Sequence, residues 1–181
     1  QIASEIGYPV VLKAQVLSGG RGKAGGIRLV RNDTEIETTA NLIFNSPIRG
    51  IPVQRLLIEK AIEFSQEFYL GIVNDRSLAK PILILSSSGG IEIEEIALTS
   101  PEHIEKSPIN PLIGLQNYAA RALASRLGID YVLWKPLQQI AVSLWKIFDQ
   151  LDATLVEINP LVVTPEKTLM ALDGKMTIDD N

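Results

Sequence analysis

A strand, a glycine-rich loop and a second strand follow one another over residues 9–30, and this order constrains the fold more than any other feature. Residues 9–16 form a β-branched, mostly apolar run, and residues 27–30 alternate like a second strand. Between them, residues 19–25 contain four glycines and two cations. The pattern predicts a hairpin whose tip has unusual backbone freedom.

This glycine loop favours binding of a polyphosphate. Glycine backbones can approach phosphate oxygens closely, and Arg21 and Lys23 would neutralise their charge. The alternative is a hairpin tip whose charges are simply solvated. Lys13 lies in the apolar strand before the loop, where it needs either an anionic ligand or a place on an outward-facing sheet edge.

Two familiar phosphate motifs fit the loop poorly. Ala24 follows Lys23, where a Walker A loop requires Ser or Thr to bind Mg²⁺. Gly20, Gly22 and Gly25 satisfy G-x-G-x-x-G, but the dinucleotide fold needs a helix next, whereas residues 27–30 predict a strand. A dinucleotide oxidoreductase therefore remains a rival hypothesis that requires a helix after Gly26.

The rest of the chain mixes helix and strand patterns, which predicts an α+β fold with mostly antiparallel strands. Gly7 closes a short N-terminal helix. Helices are predicted over residues 33–45, 118–127 and about 137–151, and strands over residues 56–61, 67–73, 81–86, 155–163 and 169–173. We place a boundary between two coupled lobes, residues 1–75 and 76–181, where a predicted strand pair containing Glu59 and Glu67 ends.

The last two strands predict a hairpin whose register brings polar side chains together. If it turns about Glu166, Asn159 faces Asp173 and Glu157 faces Lys175. Converging oxygen ligands suit Mg²⁺, so Asn159 and Asp173 form a candidate metal pair. The alternative is that Asn159-Pro160 and Asp173-Gly174 only form turns at strand ends, and a slip of one residue would separate the pair.

Composition excludes several classes of function and partner. A net charge of -4 and a pI near 5.1 argue against a nucleic-acid partner. There is no cysteine, and no apolar stretch approaches the roughly 18 residues that span a bilayer, so we expect no membrane partner and a location in the cytoplasm or, in a eukaryote, the mitochondrial matrix. Because the chain starts at Gln1, we expect a fragment.

Five segments, in order, resemble the ATP-grasp region of succinyl-CoA synthetase β subunits, and of the related malate-CoA ligase and ATP-citrate lyase. The segments are residues 11–16, 19–26, 67–71 with 75–76, 157–161 and 172–175. The resemblance implies an ATP-grasp fold, in which two coupled α/β lobes hold ATP (or GTP) and Mg²⁺ between them. It also implies that a C-terminal CoA-ligase domain lies outside this sequence.

The resemblance assigns roles by position. It implies that the nucleotide phosphates contact Lys13, Gly20, Arg21 and Gly22, and that the base and ribose contact Glu59, Ile62 and Glu67. It also implies that Asn159 and Asp173 are Mg²⁺ ligands and that Glu157 is the catalytic residue. Glu157 would meet a phosphorylated histidine carried by an α subunit that also holds the CoA site. The implied reaction is the reversible ligation of a carboxylate and CoA at the expense of ATP or GTP, and we expect the fragment alone to be inactive.

Two positions depart from the family pattern. Ser88 stands where glutamate is usual, and Asn110 where aspartate is usual. These departures favour, as the alternative function, a nucleotide-binding or assembly module that has lost catalysis. His103, the only histidine, lies in a polar segment and is predicted to be a surface residue, so the phosphohistidine should come from a partner chain.

Overall fold

The computed structural model describes residues 1–179, which form two compact units, Gln1–Glu63 and a second that starts at Phe64. Every strand pair in both units is antiparallel. The predicted α+β class is confirmed. In the part of the chain described here, no helix combines the length and apolarity needed to cross a membrane.

The first unit is a three-stranded sheet with two helices. Its strands are β1 (Val10–Ala14), β2 (Ile27–Val30) and β3 (Leu56–Lys60), in the order β2-β1-β3, and its helices are α1 (Ile2–Ile6) and α2 (Asp33–Phe44). Val10, Leu12 and Ala14 of the central strand are buried together with Ile43 and Ile48. Because β2 follows the glycine loop directly, the helix that a dinucleotide oxidoreductase would need there is absent, and that hypothesis is wrong.

The second unit is a larger sheet with three helices. The strand order is β6-β5-β4-β7-β8, and β9 also pairs with β7. The strands are β4 (Gln66–Asp75), β5 (Lys80–Ser86), β6 (Ile104–Pro108), β7 (Ala153–Val163), β8 (Leu169–Ala171) and β9 (Gly174–Ile178). The helices are α3 (Ile93–Thr99), α4 (Asn117–Arg126) and α5 (Trp134–Gln150), with 3-10 turns at Pro101–His103 and Tyr131–Leu133.

The two faces of the larger sheet have different coverings. Phe68, Leu70 and Ile72 of β4 pack into the main core with α4 and α5, whose buried side chains include Leu123 and Leu137. Strand alternation places Tyr69 in a separate cluster with residues of β5, near the start of α3. Polar side chains of β4 and β7 can therefore share this second face.

Trp145 and Phe148 of α5 pack in the main core. Trp145 and Phe148 stack with ring centroids 5.8 Å apart, and Phe148 is buried. Glycine at position 114 makes room for the Trp145 ring, because a Cβ there would lie 2.8 Å from its Nε1. These rings stabilise the packing of α5 rather than offering a platform for a base.

The predicted boundary near residue 75 differs from the division in the structure, which falls between Glu63 and Phe64. The strand β4 pairs along its length with β5 and β7 of the second unit, so it cannot belong to the first. The predicted strand pair containing Glu59 and Glu67 is also wrong. Glu59 lies on β3, which pairs with β1, whereas Glu67 lies on β4 and is paired with Val162.

Candidate functional site

The glycine loop is held by its own backbone and by Arg21. The amides of Ala24, Gly25 and Gly26 donate to the carbonyls of Gly20, Gly22 and Arg21, at 3.2, 3.0 and 2.8 Å. A guanidinium nitrogen of Arg21 donates to the Ala14 carbonyl at the end of β1, at 2.9 Å. Arg21 thus anchors the loop to the strand that carries Lys13, in addition to any contact with an anion.

Glycine is required at two positions of this loop. Gly20 and Gly25 have φ of 69° and 76°, a region that other residues rarely adopt. Gly26 instead meets crowding, since a Cβ there would lie 2.9 Å from Ile48 and 3.1 Å from the Ala14 side chain. The loop is therefore an ordered turn that depends on its glycines, and it lies at the end of β1 next to Lys13.

Lys13 is buried in the sheet and paired with Glu59. Its ammonium nitrogen lies 2.5 Å from Glu59 Oε2, and the Lys13 side chain is only 11% exposed. The register pairs Val11 with Glu59 and Lys13 with Leu57, so the ion pair runs diagonally between β1 and β3. Of the two alternatives for Lys13, an outward edge position is excluded, because β1 is the central strand.

Ile62 lies just beyond β3, at the opposite end of the sheet from the glycine loop. The amide of Ala61 donates to the carbonyl of Pro9, which precedes β1, whereas the loop follows the last residue of β1. Ile62 is half-buried. Ile62 therefore lies apart from the glycine loop, whereas Glu59 is in direct contact with Lys13.

The terminal hairpin has the predicted register. Leu161 pairs with Ala171 and Glu157 with Lys175, and the amide of Asn159 donates to the Asp173 carbonyl at 3.1 Å. The slip that would have separated these residues does not occur. Asn159 and Asp173 are both half-buried and directly opposed.

The Asn159 side chain also fastens the loop of residues 88–91. Its Oδ1 accepts from the amide of Gly90 and its Nδ2 donates to the carbonyl of Ile91, both at 2.8 Å. A Cβ on Gly89 would lie 2.5 Å from the Phe68 carbonyl oxygen, so this loop lies flat against β4. Sequence reasoning did not find this contact, although the run Ser88-Gly89-Gly90 marks a segment where backbone could approach closely.

Glu67 contacts the same loop. Its carboxylate lies so close to Gly90 that a side chain at this position would overlap it, and Gly90 has φ of 75°. Burial raises the pKa of the Glu67 carboxyl above its ordinary value. The second unit thus brings together Glu67 on β4 and Asn159 on β7 through Gly90.

Glu157 lies near this group on the same sheet, between a buried tyrosine and a lysine. The hydroxyl of Tyr69 donates to Glu157 Oε2 at 2.8 Å, and the Lys175 ammonium lies 3.9 Å from Oε1. Burial raises the pKa of the Glu157 carboxyl, and the nearby charges of Glu94 and Glu92 raise it further. The Tyr69 hydrogen bond and the positive charge of Lys175 lower this pKa and so oppose the shift. The glutamate is a half-buried carboxylate with one oxygen already bonded.

The two family departures have local partners. Ser88 Oγ lies 3.0 Å from His103 Nδ1, so the histidine, although exposed as predicted, has a hydrogen-bond partner that we did not predict. Asn110 Oδ1 accepts from the amide of Leu112 at 2.9 Å in a turn closed at Gly114. Ser88 begins the loop that Asn159 fastens, whereas Asn110 has no described contact with the groups around Lys13 or Asn159.

The candidate metal ligands are the two opposed residues Asn159 and Asp173. Among residues 1–179, no group of three or more His, Cys, Asp or Glu residues could hold a metal ion. Asn159 and Asp173 supply amide and carboxylate oxygens, which are hard ligands that suit Mg²⁺ when water and phosphate complete its coordination. The Gly90 amide and the Ile91 carbonyl fix which way the Asn159 amide points, and Asn159 Oδ1 keeps a second lone pair that an ion could use.

Comparison with known proteins places the chain in a family. The model of the ATP-grasp domain family matches residues 1–163. The chain belongs to the ATP-grasp family.

Curated ATP-grasp relatives are longer than this chain. The succinate–CoA ligase [ADP-forming] subunit beta of Chloroflexus aurantiacus is 45% identical over 181 residues, covering 99% of this chain and 48% of the relative. The same subunit of Aquifex aeolicus is 45% identical over 188 residues, covering 100% and 48%. The chain spans about half the length of the curated relatives it matches.

Solved structures share the fold at low sequence identity. A structure of PH1788 from Pyrococcus horikoshii has a TM-score of 0.78 at 18% identity and covers 99% of this chain and 79% of that one. A dinucleotide-forming acetyl-coenzyme A synthetase 1 of Ca. Korarchaeum cryptofilum scores 0.75 at 19% identity, covering 98% and 80%. ATP citrate lyase from Methanothrix soehngenii scores 0.70 at 20%, covering 95% and 39%. The ATP-grasp fold predicted from the sequence is confirmed.

Proposed function

We propose that this chain is the ATP-grasp part of an acyl-CoA synthetase β subunit of the succinyl-CoA synthetase type. It binds Mg²⁺-ATP or Mg²⁺-GTP and positions phosphoryl transfer to or from a phosphohistidine of an α subunit, in the reversible ligation of succinate or malate to CoA. The observation that best supports this proposal is the register of the terminal hairpin, in which Asn159 lies opposite Asp173. Asn159 is on the same strand, β7, as Glu157. The names of the curated relatives support the reaction class.

In the first unit, the nucleotide phosphates bind to cations and amides. Lys13 is held by Glu59 in a site of low exposure, where its charge interacts strongly with an anion. Because the amides of residues 24–26 are used inside the glycine loop, the phosphate contacts fall to the earlier positions Gly20, Arg21 and Gly22. We assign base and ribose contacts to Glu59 and Ile62 of this unit and to Glu67 of the second unit.

In the second unit, Asn159 and Asp173 hold Mg²⁺. When bound there, the ion would neutralise negative charge on the nucleotide phosphates during phosphoryl transfer. The two hydrogen bonds between Asn159 and the loop of residues 88–91, one donated by the Gly90 amide and one by Asn159 Nδ2, hold its amide in one orientation before the nucleotide arrives. This preorganisation lowers the cost of assembling the site.

Glu157 receives the partner's histidine. Its half-buried carboxylate accepts an N–H of the imidazole, which leaves the other ring nitrogen to form the bond to phosphorus as the bond from phosphorus to the nucleotide oxygen breaks. We assign that histidine to the partner rather than to this chain. Its single histidine, His103, is exposed and hydrogen-bonded to Ser88.

A non-catalytic nucleotide-binding or assembly module remains the second candidate, favoured by Ser88 and Asn110. It would retain nucleotide binding but show no turnover. The full-length subunit with its α partner distinguishes the two, because catalysis requires CoA-dependent release of ADP or GDP when succinate or malate is added.

Calorimetric titration tests the binding proposal directly. The full-length subunit is titrated with ATP and with GTP, each with and without Mg²⁺, and compared with Lys13→Ala and Asp173→Ala. We expect Lys13→Ala to weaken binding in both conditions, whereas Asp173→Ala weakens binding of the Mg²⁺-nucleotide more than that of the metal-free nucleotide. Lys135→Ala and Asp149→Ala, both at exposed positions of α5, serve as matched controls. Equal loss with and without Mg²⁺ in Asp173→Ala would remove Asp173 from the metal site.

A further inference from the structure

Tyr69 is a buried tyrosine whose hydroxyl is not accounted for by packing. The side chain is 1% exposed and lies in the small cluster with Ile82 and Ile84. A phenylalanine would fill the same apolar space, yet the hydroxyl is present and donates to Glu157 Oε2 at 2.8 Å. A buried hydroxyl needs a partner, and here the partner is a carboxylate on the neighbouring strand.

The backbone is adapted to this contact at Gly71. Gly71 is the cross-strand partner of Glu157 and lies on the same sheet face as Tyr69. A Cβ at Gly71 would lie 2.6 Å from the Tyr69 hydroxyl oxygen, 2.9 Å from its Cζ and 3.1 Å from the Glu157 Cβ. Because position 71 has no side chain, the Tyr69 ring can lie along β4 and its hydroxyl can reach Glu157.

We propose that Tyr69 is a positioning residue for Glu157, and that Gly71 is the glycine that makes this contact possible. The inference rests on the proposed function of Glu157. The hydroxyl fixes Oε2 and so leaves Oε1 as the oxygen that accepts the N–H of the incoming imidazole. Without this bond the carboxylate would rotate among several conformers, since Lys175 lies 3.9 Å away and contributes only a weaker, longer-range attraction.

The surroundings make Tyr69 a constant donor. Burial and the neighbouring Glu157 charge both raise the pKa of the Tyr69 hydroxyl far above its ordinary value, so the proton stays on the tyrosine. The charges of Glu94 and Glu92 also act on Glu157, and they repel its carboxylate. A fixed donor on the neighbouring strand therefore counters a repulsion that would displace the Glu157 carboxylate.

The test uses the full-length subunit with its α partner and follows phosphorylation of the partner's histidine by ATP at saturating nucleotide. We expect Tyr69→Phe to slow this step by about 10- to 100-fold, with the KM for nucleotide unchanged, since the lost bond is one to a charged group. Gly71→Ala, which keeps the hydroxyl but fills its space, should slow the same step. Tyr131→Phe, at an exposed position, is the matched control and should leave the rate unchanged.

A mutant cycle with Glu157→Gln separates positioning from a merely structural role. Glu157→Gln alone should slow histidine phosphorylation, and adding Tyr69→Phe to it should cause no further loss, because Tyr69 acts through the carboxylate. Equal slowing by Tyr69→Phe in both backgrounds, or no slowing in the wild-type background, would overturn the inference for Tyr69 while leaving Glu157 in place. Unchanged phosphorylation in Glu157→Gln would instead overturn the proposed role of Glu157, and the inference with it.

Discussion

Asn159 and Gly90 are joined by a hydrogen bond that ties the metal-side hairpin to a glycine turn distant in sequence. The Gly90 amide donates to Asn159 Oδ1 at 2.8 Å, while Asn159 Nδ2 donates to the next carbonyl, that of Ile91. An amide side chain accepts and donates at the same time, whereas an ionised aspartate can only accept, which explains why asparagine rather than aspartate serves here.

Replacing the Asn159 amide by a carboxylate separates its role in holding the loop of residues 88–91 from its proposed role as a Mg²⁺ ligand. Asn159→Asp keeps an oxygen that accepts from Gly90 and can bind Mg²⁺, but it loses the donor to the Ile91 carbonyl. We expect the free energy of unfolding to fall by about 1–2 kcal/mol, the cost of leaving a polar group unmatched. Mg²⁺-nucleotide affinity should be retained, because a carboxylate is also a good ligand for this ion.

Urea unfolding and calorimetry measure these two effects on the full-length protein. Asn74→Asp, at an exposed position of β4, is the control for the added charge. If Asn159→Asp unfolds like the wild type, the bond to Ile91 contributes nothing to stability. If it loses Mg²⁺-dependent binding, the amide orientation matters more than the ligand type.

Because Lys13 and Glu59 form an ion pair, we expect substitutions of the two residues to have non-additive effects on the free energy of unfolding. Glu59→Gln removes the carboxylate that pairs with a lysine only 11% exposed, and we expect it to lower the free energy of unfolding by about 1–2 kcal/mol. Adding Lys13→Met removes the buried charge and should restore part of that loss. Chemical unfolding of the single and double variants gives the coupling directly, and strictly additive losses would contradict it.

The hairpin register could be read from sequence because one turn determines it. The turn centred on Glu166 fixes every pair along β7 and β8, so the opposition of Asn159 and Asp173 followed from the spacing alone. The strands β1, β2 and β5 and the helices α2, α4 and α5 were found for a similar reason, because their apolar runs or spacings are local.

The parts that sequence reasoning missed depend on contacts distant along the chain. The helix α3 is short, begins without a side-chain cap and exposes Leu98, so it has no clear apolar stripe. The strand β6 is a polar edge strand that ends at Pro108, and β5 is its pairing partner. The Tyr69–Glu157 bond joins residues on different strands, and no local pattern indicates that a glycine at position 71 leaves room for it.

The raised pKa of Glu67 predicts a pH-dependent difference in stability. Burial makes ionised Glu67 less favourable in the folded state, so this residue lowers stability above its folded pKa. That cost disappears as pH falls through the folded pKa toward the ordinary value of 4.5. Glu67→Gln should therefore be more stable than wild type at neutral pH, with the difference shrinking as the solution is made more acidic.

The difference between the two unfolding curves isolates Glu67 from other carboxylates. Asp33 and Asp75 have lowered pKa values because of hydrogen bonds that they accept, and they act in the opposite direction on acidification, but they are present in both proteins. Glu102→Gln, at an exposed position, controls for the loss of one charge. A gain for Glu67→Gln that stays constant from neutral to acidic pH would contradict the burial of its carboxylate.

The close approach of the loop of residues 88–91 to β4 predicts that Gly89 cannot be replaced. A Cβ on Gly89 would lie 2.5 Å from the Phe68 carbonyl oxygen, which is backbone and cannot move aside without disturbing the sheet. We expect Gly89→Ala to lower the free energy of unfolding by about 1–3 kcal/mol, the usual cost of overpacking. It should also weaken Mg²⁺-nucleotide binding, since displacing the loop disturbs the bonds that orient Asn159. Gly174→Ala is the matched control, because a Cβ there meets only the Glu157 carbonyl at 3.6 Å, an ordinary contact. Equal stability of the two variants would show that the loop can move away from β4 at little cost, and that Asn159 does not depend on it.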